Sequence, residues 1–205
     1  MNINNEMPSL GSVARLFGGA VMDEVLTERV GLVVIDGRKV ADGDAADFKE
    51  VVTATFGVEV TEWLSGAVGS AWYDDCIFIG ADVPEDAKVF VTYHEFKHYL
   101  DFVGRGVVPS DEHASIRSSR IEKECDLYAL RRVIQESGKE SAEKALEWMV
   151  HYHFQWDINH PDDPSDLLYR SVLLYRFMRR LGRALRPKAN MVQLQKSQPG
   201  PADRR

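Results

Sequence analysis

The spacing of apolar positions along the chain changes several times, and each change marks an element. The first ten residues are polar and predict a frayed end. From Gly11 to Thr27 the apolar spacing is compatible with a helix. Val30 to Ile35 (VGLVVI) is a short β-branched run ending at Asp36-Gly37, a turn signal, so a strand and then a hairpin are expected. Asp44 to Phe56 predicts a helix with Ala45, Phe48, Val51 or Val52, and Ala54 on its inner face. Between Val58 and Ala81 the pattern predicts strands. Gly69-Ser-Ala-Trp-Tyr73 and Cys76-Ile-Phe-Ile-Gly80, joined through Asp74-Asp75, read as two of them with a tight turn between.

Helical spacing then takes over. Asp82 is a candidate N-cap, Pro84 opens a helix that runs to about Phe102, and Gly104, Gly106 and Pro109 break it. Ile116 to Glu136 predicts a second helix stopped by Gly138, and 141–156 a third, with Ala142, Ala145, Leu146, Met149, Val150 and His153 on its apolar stripe. A fourth is expected from about Ser165 to Leu185, after His160-Pro161-Asp162-Asp163-Pro164. A small sheet first and helices afterwards defines an α+β class. One domain over 1–186 is expected, with a helical C-terminal portion from about 140 and a disordered tail over 187–205.

Composition narrows the classes of function. The chain has 205 residues, 44% apolar and 28% charged, the profile of a globular protein. A net charge of -7 argues against a molecule that binds nucleic acid over its whole surface. No apolar run approaches the roughly 20 residues that span a bilayer. The N-terminus lacks a basic region followed by an apolar one, and two cysteines, Cys76 and Cys125, make no disulfide framework. A cytoplasmic location is expected. One local exception to the acidic balance is the last helix and its exit, where Arg170, Arg176, Arg179, Arg180, Arg183, Arg186 and Lys188 crowd together. That basic amphipathic stretch suits an acidic, nucleic-acid or membrane partner; the plainer alternative is a solvated face favoured by the helix dipole.

The densest chemistry lies in His94-Glu95-Phe96-Lys97-His98. Residues four apart on a helix share a face, so His94 and His98 can direct two imidazoles at one metal ion. Glu95, offset by about 100°, can reach past that ion toward a bound water as general base and acid. Phe96 and Leu100 fall on the opposite side and are expected to anchor the helix. A catalytic zinc site needs a third protein ligand and an open position. A third histidine six residues after His98 is absent, since position 104 is Gly104. Glu122 and Asp126, at i,i+4 on the next helix, are the candidates: one carboxylate for the metal, the other for the N–H of a ligating histidine. Glu122 has a competing explanation, because Ser119-Arg-Ile-Glu122 matches a capping box. Asp101, one turn beyond His98, is either a supporting group or a plain solvent-exposed aspartate.

With these motifs in view, the stretch from about Gly66 to Ile134 resembles the small gluzincin metallopeptidases of the IrrE/ImmA type. The resemblance includes the strand Cys76–Gly80, the lead-in Asp82-Val-Pro-Glu-Asp-Ala-Lys-Val-Phe90, the step Val91-Thr-Tyr and the zinc helix. Glu122-Lys-Glu-Cys-Asp126-Leu-Tyr-Ala129 is similar to the family's glutamate segment. It implies a zincin-like fold holding Zn2+, with Glu122 as third ligand and Asp126 as its supporting partner. It further implies an intracellular endopeptidase acting on a protein substrate, a DNA-binding repressor in relatives. Lys97 departs from the family, which usually has Gly there, and Leu130-Arg-Arg-Val-Ile replaces its usual apolar and Pro ending. A zinc-bound but inactive regulatory module is the alternative that Lys97 supports.

Asn159-His160-Pro161 is similar to an element of the membrane-bound HtpX-type and CAAX-prenyl proteases. His160 is therefore a candidate to stabilise the transition-state oxyanion, beside Tyr152, His151 and Tyr169. Its alternative is a loop residue before a proline turn, and His153 reads as a core histidine. A zincin-like fold also calls for an edge strand that binds substrate backbone. The less apolar Gly69–Tyr73 is the better candidate, leaving Cys76–Gly80 for the core.

Overall fold

The computed structural model describes residues 8–42, 45–66, 69–73, 75–105 and 114–159. Its order is α1 (Leu10–Phe17), a 3-10 turn (Gly18–Ala20), α2 (Glu24–Val30), β1 (Val33–Asp36), α3 (Gly37–Ala41), α4 (Ala46–Phe56), α5 (Val58–Gly66), β2 (Ser70–Tyr73), β3 (Cys76–Ile79), α6 (Glu85–Arg105) and α7 (Ala114–Asn159). The class is α+β, mostly helical around a small mixed sheet. No described helix is long and apolar enough to cross a membrane.

The strands lie in the order β1-β3-β2, with β3 parallel to β1 and antiparallel to β2. β1 and β3 are buried at every position because helices cover both faces of the sheet. Val34, Ile77 and Ile79 point into one core with α2, α6 and α7. Val33, Ile35, Cys76 and Phe78 point into a second core with α1, α4 and α5. The β-strand period of two thus divides the seven apolar residues of these two strands between two layers. β2 is an edge, only partly buried, and β3 is central, as their compositions predicted.

Several local expectations change. Gly18, at φ 51°, ends α1, so the stretch from Gly11 to Thr27 folds as two short helices. Asp36 opens no hairpin. Its carboxylate accepts from the Arg38 N–H at 3.1 Å and caps α3, and β1 reaches β3 across a long parallel crossover. Gly37 is required there because a Cβ would lie 2.6 Å from the Ile79 carbonyl oxygen of β3. Val58–Gly66 is a helix, since Val60, Trp63 and Leu64 pack on the second core at i, i+3, i+4. On α4 the inward residue is Val52; Val51 and Ala54 are exposed. Phe96 packs against the first core, but Leu100 is exposed. Asp82 does not cap α6. It accepts from the Gly69 N–H at 2.9 Å, while the Pro84 carbonyl receives Ala87 and Lys88.

The predicted stop at Gly138 is a sharp break, φ 84° and ψ 174°, that divides α7 into arms over 114–137 and 139–159. Ala142, Ala145, Leu146 and Met149 of the second arm are buried against the first core. The fourth helix, the basic stretch and the tail lie outside the described residues.

A buried ion pair fixes α6 against the sheet. The Lys88 ammonium lies 2.7 Å from Asp36, both side chains being 6% exposed, and 3.0 Å from Glu85. Burial disfavours the ammonium, but hydrogen bonds and charge from Asp36 and Glu85 outweigh it and raise its pKa. Asp36→Ala leaves that cation with only the exposed Glu85 and removes the cap of α3, and is expected to cost about 3 kcal/mol, read as a lower urea midpoint.

Candidate metal centre

Three side chains from two helices converge between α6 and α7. The His94 Nε2 lies 3.1 Å from Glu122 Oε2, the His98 Nε2 lies 3.2 Å from Glu122 Oε1, and the two Nε2 atoms are 3.1 Å apart. Four-residue spacing puts the imidazoles edge to face on the side of α6 that faces α7. On α7, Glu122 and Asp126 continue a stripe through Ala129 and Val133 that packs on α6, so burial of the stripe carries both carboxylates to the histidines.

The roles that spacing left open between the two carboxylates differ in this geometry. Asp126 is fully buried and its Oδ1 lies 2.9 Å from His94 Nδ1. A neutral His94 then carries its proton on Nδ1 and presents a bare Nε2 to His98 and Glu122. Glu122, partly exposed, directs one oxygen to each Nε2.

The donor set fits a zinc ion. Tetrahedral coordination with bonds of about 2.0–2.1 Å puts neighbouring donors about 3.3 Å apart. Here the two Nε2 atoms are 3.1 Å apart, and each has its own Glu122 oxygen at 3.1 to 3.2 Å, Oε2 for His94 and Oε1 for His98. The electrostatics favour positive charge at the same point. Burial works against an imidazolium at His94, but the hydrogen bonds it donates to Asp126 and Glu122 and the charges of Glu95 and Asp126 raise its pKa to about 10. Burial likewise pushes the Glu122 carboxyl up, and the two imidazoles outweigh it, holding it well below the usual carboxylate range. Cys125, between the two acids in sequence, is not in the group whose ligand atoms converge, and burial, followed by the charge of Glu122, pushes its thiol pKa up.

Glu95 occupies the adjacent flank of α6, toward the sheet. It is buried, and its carboxylate accepts from the Ser70 hydroxyl at 2.9 Å and the Trp72 backbone N–H at 3.1 Å. Neither contact is signalled in the sequence, because both depend on where β2 crosses α6.

Lys97 does not extend into solvent. Its ammonium pairs with Asp101 one turn on, and both side chains are mostly buried. Asp101 is thus a counter-charge rather than a solvent-exposed aspartate. Asp101→Asn is expected to weaken zinc binding about threefold to tenfold by leaving the cation uncompensated beside the ligands, measured by competition with a chelating dye.

A second cluster braces the helices beside the site. The Tyr93 hydroxyl donates to Glu136 at 2.6 Å, and Arg132 lies 2.7 Å from Glu136 with its guanidinium 4.9 Å from the Tyr93 ring centre. Among the oxyanion candidates, His151 is exposed. Tyr152 stacks on Trp148, and its hydroxyl is 3.0 Å from where a Cβ on Gly69 would sit. His160 and Tyr169 lie outside the described residues.

No protein-family model, curated protein or solved structure matches this chain.

Proposed function

We propose that the chain is a zinc-dependent metalloendopeptidase of the gluzincin kind with a zincin-like fold. The observation that carries this reading is the convergence of His94, His98 and Glu122, with Asp126 behind His94 and Glu95 alongside. His94, His98 and Glu122 would hold the metal. When bound, zinc supplies a Lewis acid and a water of lowered pKa. Glu95 takes a proton from the attacking water on one carboxylate oxygen and passes it to the leaving amide nitrogen. Asp126 holds the His94 Nδ1–H, which keeps Nε2 aimed at the ligand position. The outer edge of β2, which pairs with no other described strand, binds an extended substrate backbone, a mode of recognition by strand addition. His160 and Tyr152 are the candidates for stabilising the oxyanion.

The IrrE/ImmA resemblance suggests an intracellular regulatory or repressor protein as the substrate. Pairing of Lys97 with Asp101 weighs against the inactive-module alternative, because it neutralises the one charge that departs from the motif. Purified protein is expected to contain one zinc per chain, by elemental analysis. Its cleavage of a partner captured from cells should stop on chelation and return with zinc. A chain without metal would overturn the reading.

A further inference from the structure

We propose that Ser70 and the Trp72 N–H form a two-point seat for the Glu95 carboxylate, so that the outer edge of β2 positions the catalytic base. The inference rests on the reading of Glu95 as that base, and it concerns a residue, Ser70, to which that reading assigns no role.

In an antiparallel pair, alternate residues turn their backbone N–H and C=O toward the partner and then away from it. Ser70 pairs with Ile79 and Trp72 with Ile77, while the Gly80 N–H donates to the Gly69 carbonyl at 2.6 Å. Gly69, Ala71 and Tyr73 therefore turn their backbone toward β3, and Ser70 and Trp72 turn theirs outward. The outward Trp72 N–H meets Glu95 Oε2, and the Ser70 hydroxyl meets Glu95 Oε1. Each carboxylate oxygen has its own donor, which limits rotation about the last side-chain torsion.

The strand is held at this height on the helix by packing. Glu95, Tyr99 and Phe102 follow one flank of α6 at i, i+4, i+7. The Trp72 ring lies against the last two, with ring centres 6.1 Å from Tyr99 and 4.9 Å from Phe102. At the start of β2, the Gly69 N–H is tied to Asp82 in the loop before α6. The strand is thus fixed to α6 through Trp72 and to the loop before it through Gly69.

The Trp72 N–H is also the donor that a substrate carbonyl would take on adding to the edge of β2. A docking strand therefore replaces Glu95 Oε2 at that N–H, while the Ser70 hydroxyl retains Oε1. The carboxylate can then pivot about Ser70 toward the ligand cluster. Docking of an extended chain and release of the base become one event, which keeps Glu95 seated until a substrate arrives.

Two measurements on the zinc-loaded full chain test this. Amide hydrogen exchange at Trp72 is expected to accelerate at least about tenfold in Glu95→Ala, with Ala71 and Tyr73, bonded to β3, unchanged. Equal exchange at Trp72 in the two proteins would overturn the seat whether or not the protein proves to be a peptidase. With fluorescein-labelled casein as an unstructured substrate, Ser70→Ala should lower kcat about tenfold at unchanged KM and zinc content, and Ser70→Thr should restore it. A Ser70→Ala protein that keeps the full kcat would overturn the positioning role and leave the metal centre standing. An unaltered, zinc-loaded protein that cleaves nothing would overturn the peptidase reading, and with it the role of Glu95 as base.

Discussion

Glu95→Gln is expected to lower peptide hydrolysis by about two to four orders of magnitude while zinc content stays at one per chain. The substitution preserves the size of the side chain and keeps one carbonyl oxygen to accept from the Trp72 N–H. It removes the basicity needed to take a proton from water, and nothing else among the described residues beside the ligands can replace it. Asp126 is fully buried behind His94, and Asp101 is paired with Lys97. The same variant should retain substrate, so a partner captured with it and released after cleavage by the unaltered protein would identify that substrate. Undiminished hydrolysis in Glu95→Gln would remove Glu95 from the mechanism.

The second large effect is expected at Glu122. Glu122→Ala removes the donor that faces both Nε2 atoms and leaves two imidazoles, short of the three protein ligands a catalytic zinc needs. Zinc should be lost on dialysis and all hydrolysis with it. Binding to the folded state alone stabilises it by about 4 kcal/mol when the ion is present at a thousandfold excess over its Kd. For a chain of this length that corresponds to roughly 10 °C in Tm. Chelation should therefore lower the Tm of the unaltered protein by about that amount and barely move Glu122→Ala. Asp126→Asn retains all three donors but loses the carboxylate that selects the His94 tautomer, with an expected loss of about tenfold to a hundredfold in zinc affinity. Equal affinities would show that Asp126 serves packing alone.

Much of this site was legible before any coordinates. The pair His94 and His98 depends only on helical periodicity within one element, and so does the pair Glu122 and Asp126. Local geometry of that kind is carried by the backbone, and the sequence spells it out. The break at Gly138 and the edge position of Gly69–Tyr73 were legible for similar reasons, one from a residue that accepts positive φ, the other from a strand too polar to be buried on both faces. Where the reading failed, two periods competed or a contact came from far away. Val58–Gly66 alternates like a strand at its start, and only packing of Val60, Trp63 and Leu64 on the second core decides for a helix. Asp36-Gly37 reads as a hairpin turn in isolation. Its cap on α3 is local, but its role as an anchor for Lys88 is set by α6, 52 residues away.

The sequence by itself thus determined the candidate ligand types, their pairing on two helices and the carboxylate beside them. Which acid faces the two Nε2 atoms and which the His94 Nδ1 was left open by spacing and implied by the resemblance alone, and it is set by how α7 packs on α6. Tertiary structure also decided that Lys97 turns to Asp101, and that Glu95 rests on the edge of β2. Spacing along a helix specifies a face and an angle. The distance from that face to a neighbouring element comes from which apolar stripes bury one another.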